Sequence, residues 1–243
     1  MKFLKTDGLA LFVFGDIIFL MNKKQLSIFI IILVVLILAG AAGFYLWNKT
    51  IQEKQLIIQQ QKLEIQNYKN LALIGAISSG NFYEMQELVN AGADVNAKSS
   101  LYDLPALIYA SFLGRSSIVN ELIKNGADIN TKDINGKTAL MWASLNGGTS
   151  DGIDTRYASE NANIYTIENL INAGADVNEK DNNGYTALMN ALFYQNINIV
   201  KKLISAGADV NTIAFNESVL SWAIKNNIQP KIIQILKDAG AKE

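Results

Sequence analysis

Ala91-Gly92-Ala93-Asp94-Val95-Asn96 decides how the chain is read, because it returns as Asn125-Gly126-Ala127-Asp128-Ile129-Asn130, Ala173-Gly174-Ala175-Asp176-Val177-Asn178 and Ala206-Gly207-Ala208-Asp209-Val210-Asn211. A truncated copy, Ala239-Gly240-Ala241, stands near the end. The glycines lie 34, 48, 33 and 33 residues apart, and the long interval is one 33-residue period plus an insertion of 15. A fixed period near 33 marks stacked supersecondary units.

Apolar residues recur seven and four positions before each glycine: Met85/Leu88, Val119/Leu122, Ile167/Leu170, Val200/Leu203 and Ile233/Leu236. That spacing makes one helical face, and Gly just past it suits the left-handed position that closes a helix. Leu followed three residues later by Ala marks a preceding helix in each unit: Leu73/Ala76, Leu107/Ala110, Leu140/Ala143, Leu188/Ala191 and Leu220/Ala223. Two of these helices open with Asp-x-Asn-Gly-x-Thr-Ala-Leu, from Asp133 to Leu140 and from Asp181 to Leu188. Asn-Gly there predicts a tight turn with positive φ, and Thr138 and Thr186 are placed to cap the helix starts.

The Asp-x-x-Gly-x-Thr-x-Leu openings and Gly-Ala-Asp-Val-Asn closings resemble the ankyrin repeat, over about residues 71 to 243, and with the apolar span described below they resemble its membrane-anchored, bacterial-type members. The resemblance implies an all-α fold, an ankyrin-repeat solenoid of helix-turn-helix units with short β-turns. Its repeats are expected at about 71–98, 99–131, 132–179 with an insertion at 148–162, 180–212 and 213–243. Two departures stand out. Ala139-Leu140-Met141 and Ala187-Leu188-Met189 lack the family's histidine, which removes its usual inter-repeat hydrogen bonds. Asp103 and Pro105 stand where Gly and Thr are expected, which leaves the second turn undetermined.

Residues 26 to 47 form a run of 22 without a charge, spanning about 33 Å as a helix, and read as a transmembrane helix. Ala39-Gly40-Ala41 offers a competing reading as a cleaved signal, against which the apolar run continues to Trp47. Lys2, Lys5, Lys23 and Lys24 precede the span and Lys49, Lys54 and Lys62 follow it, a bias that places the repeats on the extracytoplasmic, periplasmic side of a single-pass protein. Residues 1–25 form an N-terminal segment, in which Leu9 to Leu20 is an apolar run too short to cross a bilayer. Met21-Asn22-Lys23-Lys24 reads as a second start, and the alternative is an amphiphilic extension at the membrane. Residues 48–70 read as a Gln-rich helical stalk without a sustained heptad seam. The first and last repeats read as capping units, so a whole array is expected.

Composition narrows the function. The chain has no Cys and no His, which removes thiolate chemistry, acylation of a lipoprotein cysteine, and the commonest general base and metal ligand. No phosphate-cradling loop or base–nucleophile pair is legible, so no enzyme activity, cofactor or metal is expected. Residues 71 to 243 carry 13 Lys and Arg against 18 Asp and Glu, a net −5, which disfavours nucleic acid. Asp94, Asp128, Asp176 and Asp209 sit in the repeated phrase and read as turn formers. The insertion at 148–162 is oxygen-rich without an EF-hand pattern; it reads as a surface loop or a partner contact.

What remains is protein binding. The resemblance implies contacts through turn tips, here Ile134, Asn135, Lys137, Asn182, Asn183 and Tyr185, and through the concave face at the ends of the first helices, here Phe112, Leu113, Leu145, Phe193 and Tyr194. These are expected to form an exposed apolar stripe. Tyr109, Trp142 and Trp222 are assigned to packing between repeats. The expected function is a membrane-anchored interaction scaffold with a protein partner. The alternatives are an effector secreted after signal cleavage, or an enzyme built on the insertion.

Overall fold

A computed structural model of the chain describes residues 3–6, 9–14, 17–145, 160–214 and 217–243. It forms two compact units, Met1–Leu63 and Glu64–Glu243.

The first unit opens with an antiparallel sheet, β1 (Phe3–Thr6), β2 (Leu9–Phe14) and β3 (Ile17–Asn22), paired in that order. This corrects the all-α expectation. The registers Thr6↔Leu9 and Phe14↔Ile17 leave two residues between successive strands. The strand runs are rich in β-branched and aromatic residues. The stretch from Leu9 to Leu20 thus contributes to two strands, Leu9–Phe14 and Ile17–Asn22, rather than to one apolar segment. Helix α1 (Lys23–Ser79) follows, without a break at the expected anchor, stalk or repeat boundaries. It holds a stretch long and apolar enough to cross a membrane, with none of that stretch buried. Farther along, Leu56, Ile58 and Leu63 are also exposed.

The second unit consists of helix pairs. The end of α1 is followed by α2 (Phe82–Asn90); α3 (Ala106–Phe112) pairs with α4 (Ser116–Lys124), and α5 (Ala139–Ser144) with α6 (Glu160–Asn172). Then α7 (Ala187–Phe193) pairs with α8 (Ile197–Ser205), and α9 (Val219–Lys225) with α10 (Pro230–Asp238). First helices pack on first helices, α3 on α5 and α5 on α7, while second helices α4 and α6 pack on each other. The five Leu/Ala marks are all at most 2% exposed, within the shared core of the unit. Residues 146–159, most of the insertion, lie outside the described residues.

Local capping follows the sequence. Gly92, Gly126, Gly174, Gly207 and Gly240 have φ between 87° and 92°, the left-handed conformation that a Cβ disfavours. Thr138 and Thr186 hydroxyls accept from the Met141 and Met189 N–H groups, each at 3.4 Å. The second repeat keeps its turn despite its substitutions. Asp103 itself adopts φ 50° in place of glycine and pairs with Lys98 at 3.1 Å. Pro105 begins α3 without a side-chain cap. In the fifth repeat the turn becomes a short hairpin, β4 (Ile213–Ala214) against β5 (Glu217–Ser218).

The Asn that closes each phrase links it to the next repeat. Its side-chain oxygen accepts the N–H of the Asp in the next phrase: Asn96 from Asp128 at 3.0 Å, Asn130 from Asp176 at 3.0 Å and Asn178 from Asp209 at 2.7 Å. Asn211 accepts from Lys242 at 2.9 Å, ending the ladder. Asn70 in α1 begins it, accepting from Asp94 at 2.9 Å. Gln66 and Lys69 donate to the carbonyls of Gly92 and Ala91, so the repeat unit draws in α1 residues ahead of Leu71. Each Asp, in turn, accepts the N–H two residues on, as Asp94 does from Asn96 at 2.9 Å, which is the turn-forming role read from the sequence.

Candidate functional site

The front turns of repeats three and four are joined at their tips. Asn182 donates its backbone N–H to the Asn135 carbonyl at 3.0 Å and its side-chain amide to the Ile134 carbonyl at 3.2 Å. Gly136 permits this approach: a Cβ there would lie 2.4 Å from the Asn182 side-chain oxygen and 2.9 Å from its backbone nitrogen. Lys132 and Glu179 add an ion pair at 2.8 Å. The Lys132 ammonium, by donating a hydrogen bond, holds the Glu179 carboxyl below the usual carboxylate range. Asn182 is therefore a tip-to-tip link and, as expected of a turn-tip residue, also stays exposed. Ile134, 84% exposed, and Asn135 and Asn183 remain on the surface.

The expected stripe along the first helices divides. Phe112 and Phe193 occupy the same register, five residues after Leu107 and Leu188, yet Phe112 is 4% exposed and Phe193 59%. The exposure expected of Phe112 is thus overturned. Trp142 packs edge-on against it with centroids 5.2 Å apart. The indole is fixed there because its N–H donates to the Asp133 carboxylate at 2.9 Å, while the Lys137 ammonium lies 5.0 Å from the ring centroid. Asp133 and Trp142 are nine residues apart. Nine residues before Trp222 stands Ile213, so no carboxylate anchors that indole at the matching place. Trp222 is half-buried, tilted at 6.4 Å from Phe193, and leaves Phe193 open. Leu113, Leu145, Tyr185 and Tyr194 are half-buried.

Six of the nominated residues meet at one cleft of about 180 Å³ beside α7: Lys137, Leu145, Asn183, Tyr185, Phe193 and Tyr194. Asp181, Met189 and Asn190, which the sequence pattern does not single out as contacts, complete its lining. The signal that points to them is the contrast between Trp142 and Asn190, each nine residues after the aspartate that opens its turn. Among the described residues, no three His, Cys, Asp or Glu converge on a metal position.

Helix pairs of one period, joined by front turns and tied by a side-chain ladder, define a helical repeat protein. The family model described as ankyrin repeats (three copies) matches residues 48–133, 73–153 and 156–243, and the chain belongs to the ankyrin-repeat family. Ankyrin repeats imply a role in protein–protein interaction. The comparison with curated proteins returns no match.

Proposed function

We propose that the chain is a non-enzymatic, membrane-anchored scaffold, its repeats stacked as a solenoid, that binds a protein partner through the cleft and exposed tips of repeats three and four. The observation that carries the binding site is the convergence of Tyr185, Phe193 and Tyr194 on one cleft, with Phe193 largely exposed. Aromatic side chains of this kind supply most of the binding energy in interfaces, and a helical framework presents them at small entropic cost. The uncharged run from Leu26 to Trp47 supports anchoring, and the lysine bias supports an extracytoplasmic repeat domain. Partner capture by the full-length chain in detergent, compared with a Phe193→Ala/Tyr194→Ala variant, tests the site. Captured partners shared equally by both forms refute it. A reporter active only outside the cytoplasm, fused after Glu243, tests the side: activity is expected, and activity of a cytoplasm-only reporter refutes the orientation.

A further inference from the structure

Repeats three and four open with aspartates that are used differently. Asp133 places one carboxylate oxygen on the N–H groups of Asn135 and Lys137, both at 2.8 Å, and the other on the Trp142 indole. Asp181 repeats the first half, accepting from Asn183 and Tyr185 at 2.9 Å each. Its second oxygen, Oδ2, is shielded from solvent and has no hydrogen-bond donor, on a residue only 6% exposed. The residue that corresponds to Trp142 is Asn190, whose amide turns instead to the Met141 carbonyl at 3.4 Å.

The surroundings correspond position by position. Leu145 stands in the register of Phe112, Tyr185 in that of Lys137, and Asn190 in that of Trp142. All three, with Asp181, line the 180 Å³ cleft. Two large-to-small differences, Trp to Asn and Phe to Leu, thus remove aromatic volume where repeat three is filled. A cleft and an unmatched acceptor occur together for the same reason. A buried carboxylate oxygen without a donor is costly, so a group that supplies an N–H while filling the cleft gains on both counts.

We propose that this cleft is a receptor for one tryptophan side chain of the bound partner, its indole N–H donated to Asp181 Oδ2. The proposal rests on the interaction role above and names the chemistry of the partner's anchoring residue. Repeat three supplies the template, an indole between an aspartate and an apolar side chain of the preceding repeat. Met189 and Phe193 provide further apolar surface. The positive charge of Lys137 at the cleft wall favours this neutral donor over a guanidinium, which would meet a like charge. Oδ2 is shielded in the structure, so binding includes a side-chain movement that uncovers it, and we assign that movement to Asn190, whose amide bond to Met141 is long at 3.4 Å.

The test uses the full-length chain in detergent and ¹⁹F NMR of N-acetyl-5-fluorotryptophanamide. Binding should appear as line broadening that excess N-acetyltryptophanamide reverses. The 1-methylindole analogue, which lacks the N–H, should compete about tenfold or more less well, the loss expected for a hydrogen bond to a charged acceptor. Asn190→Trp should fill the cleft from within and abolish probe binding while keeping or raising Tm, which separates blockage from unfolding. N-acetylargininamide should compete poorly. No probe binding, equal competition by the methylated analogue, better competition by the arginine amide, or undiminished binding to a folded Asn190→Trp each overturns the proposal. Failure of the probe alongside loss of partner capture in the Phe193/Tyr194 variant overturns this proposal alone. Capture unaffected by that variant overturns the interaction site itself.

Discussion

Replacing Leu188 with alanine should cost far more stability than replacing Phe193, only five residues away on the same helix. Leu188 is wholly buried in α7, which packs against both α5 and α8. Its truncation loses the transfer energy of the removed groups and leaves a cavity between repeats, about 2–5 kcal/mol in total. The repeat unit spans 180 residues, Glu64 to Glu243. For a unit of that size each kcal/mol moves Tm by about 2–4 °C, so a loss of about 3 kcal/mol lowers it by roughly 6–12 °C. Phe193 is 59% exposed and keeps ring contacts with Tyr194 at 5.1 Å and Trp222 at 6.4 Å. Such contacts contribute about 0.5–1.5 kcal/mol where buried and less at this exposure, so Phe193→Ala should cost about 1 kcal/mol or less. Near-ultraviolet circular dichroism of the full-length chain during heating reports aromatic packing in the repeats and measures both. A Phe193→Ala protein that melts as early as Leu188→Ala would place Phe193 in the core and refute the proposed interface.

Four further outcomes are expected. Trp142→Phe leaves Asp133 without its indole donor and should destabilise the chain by about 1–3 kcal/mol in urea unfolding, with no loss at all counting against the pair. Asn130→Ala breaks one rung of the ladder and should cost about 0.5–1.5 kcal/mol, whereas Asn90→Ala, exposed and outside the ladder, should cost little. Because the folded Glu179 carboxyl is held below its ordinary pKa, its pair with Lys132 stabilises above the unfolded glutamate pKa and is lost as pH falls through the lowered folded value. The pair is partly exposed, so the stability gap between wild type and Glu179→Gln should be at most about 1 kcal/mol at neutral pH and close in acid; a gap that widens in acid contradicts the sign. Alkaline carbonate should leave the full-length chain in the membrane pellet with residues 26–41 attached, and a soluble form beginning at Ala42 would contradict the anchor.

Features set by a few adjacent residues are legible in the sequence by itself. The left-handed glycines, the threonine caps, the Leu/Ala core marks and the aspartate turns each depend on a local spacing repeated in register, and the backbone has few ways to satisfy such a pattern. The strands ahead of α1 are not legible, because their residues read as one short apolar run. Other features turn on neighbours more than 20 residues away. Phe112 and Phe193 share a register and differ in exposure because Trp142, thirty residues after Phe112, is fastened over it by Asp133, while Trp222 has no matching carboxylate. The closing asparagines look like turn residues, yet their side chains reach the following phrase. Asp133 and Asp181 begin identical motifs, and only the stacking of repeats shows that one has both oxygens satisfied while the other keeps one unmatched beside a cleft. Periodicity specifies the unit, but burial and hydrogen-bond satisfaction belong to the interface between units, where one residue in the next repeat decides the outcome.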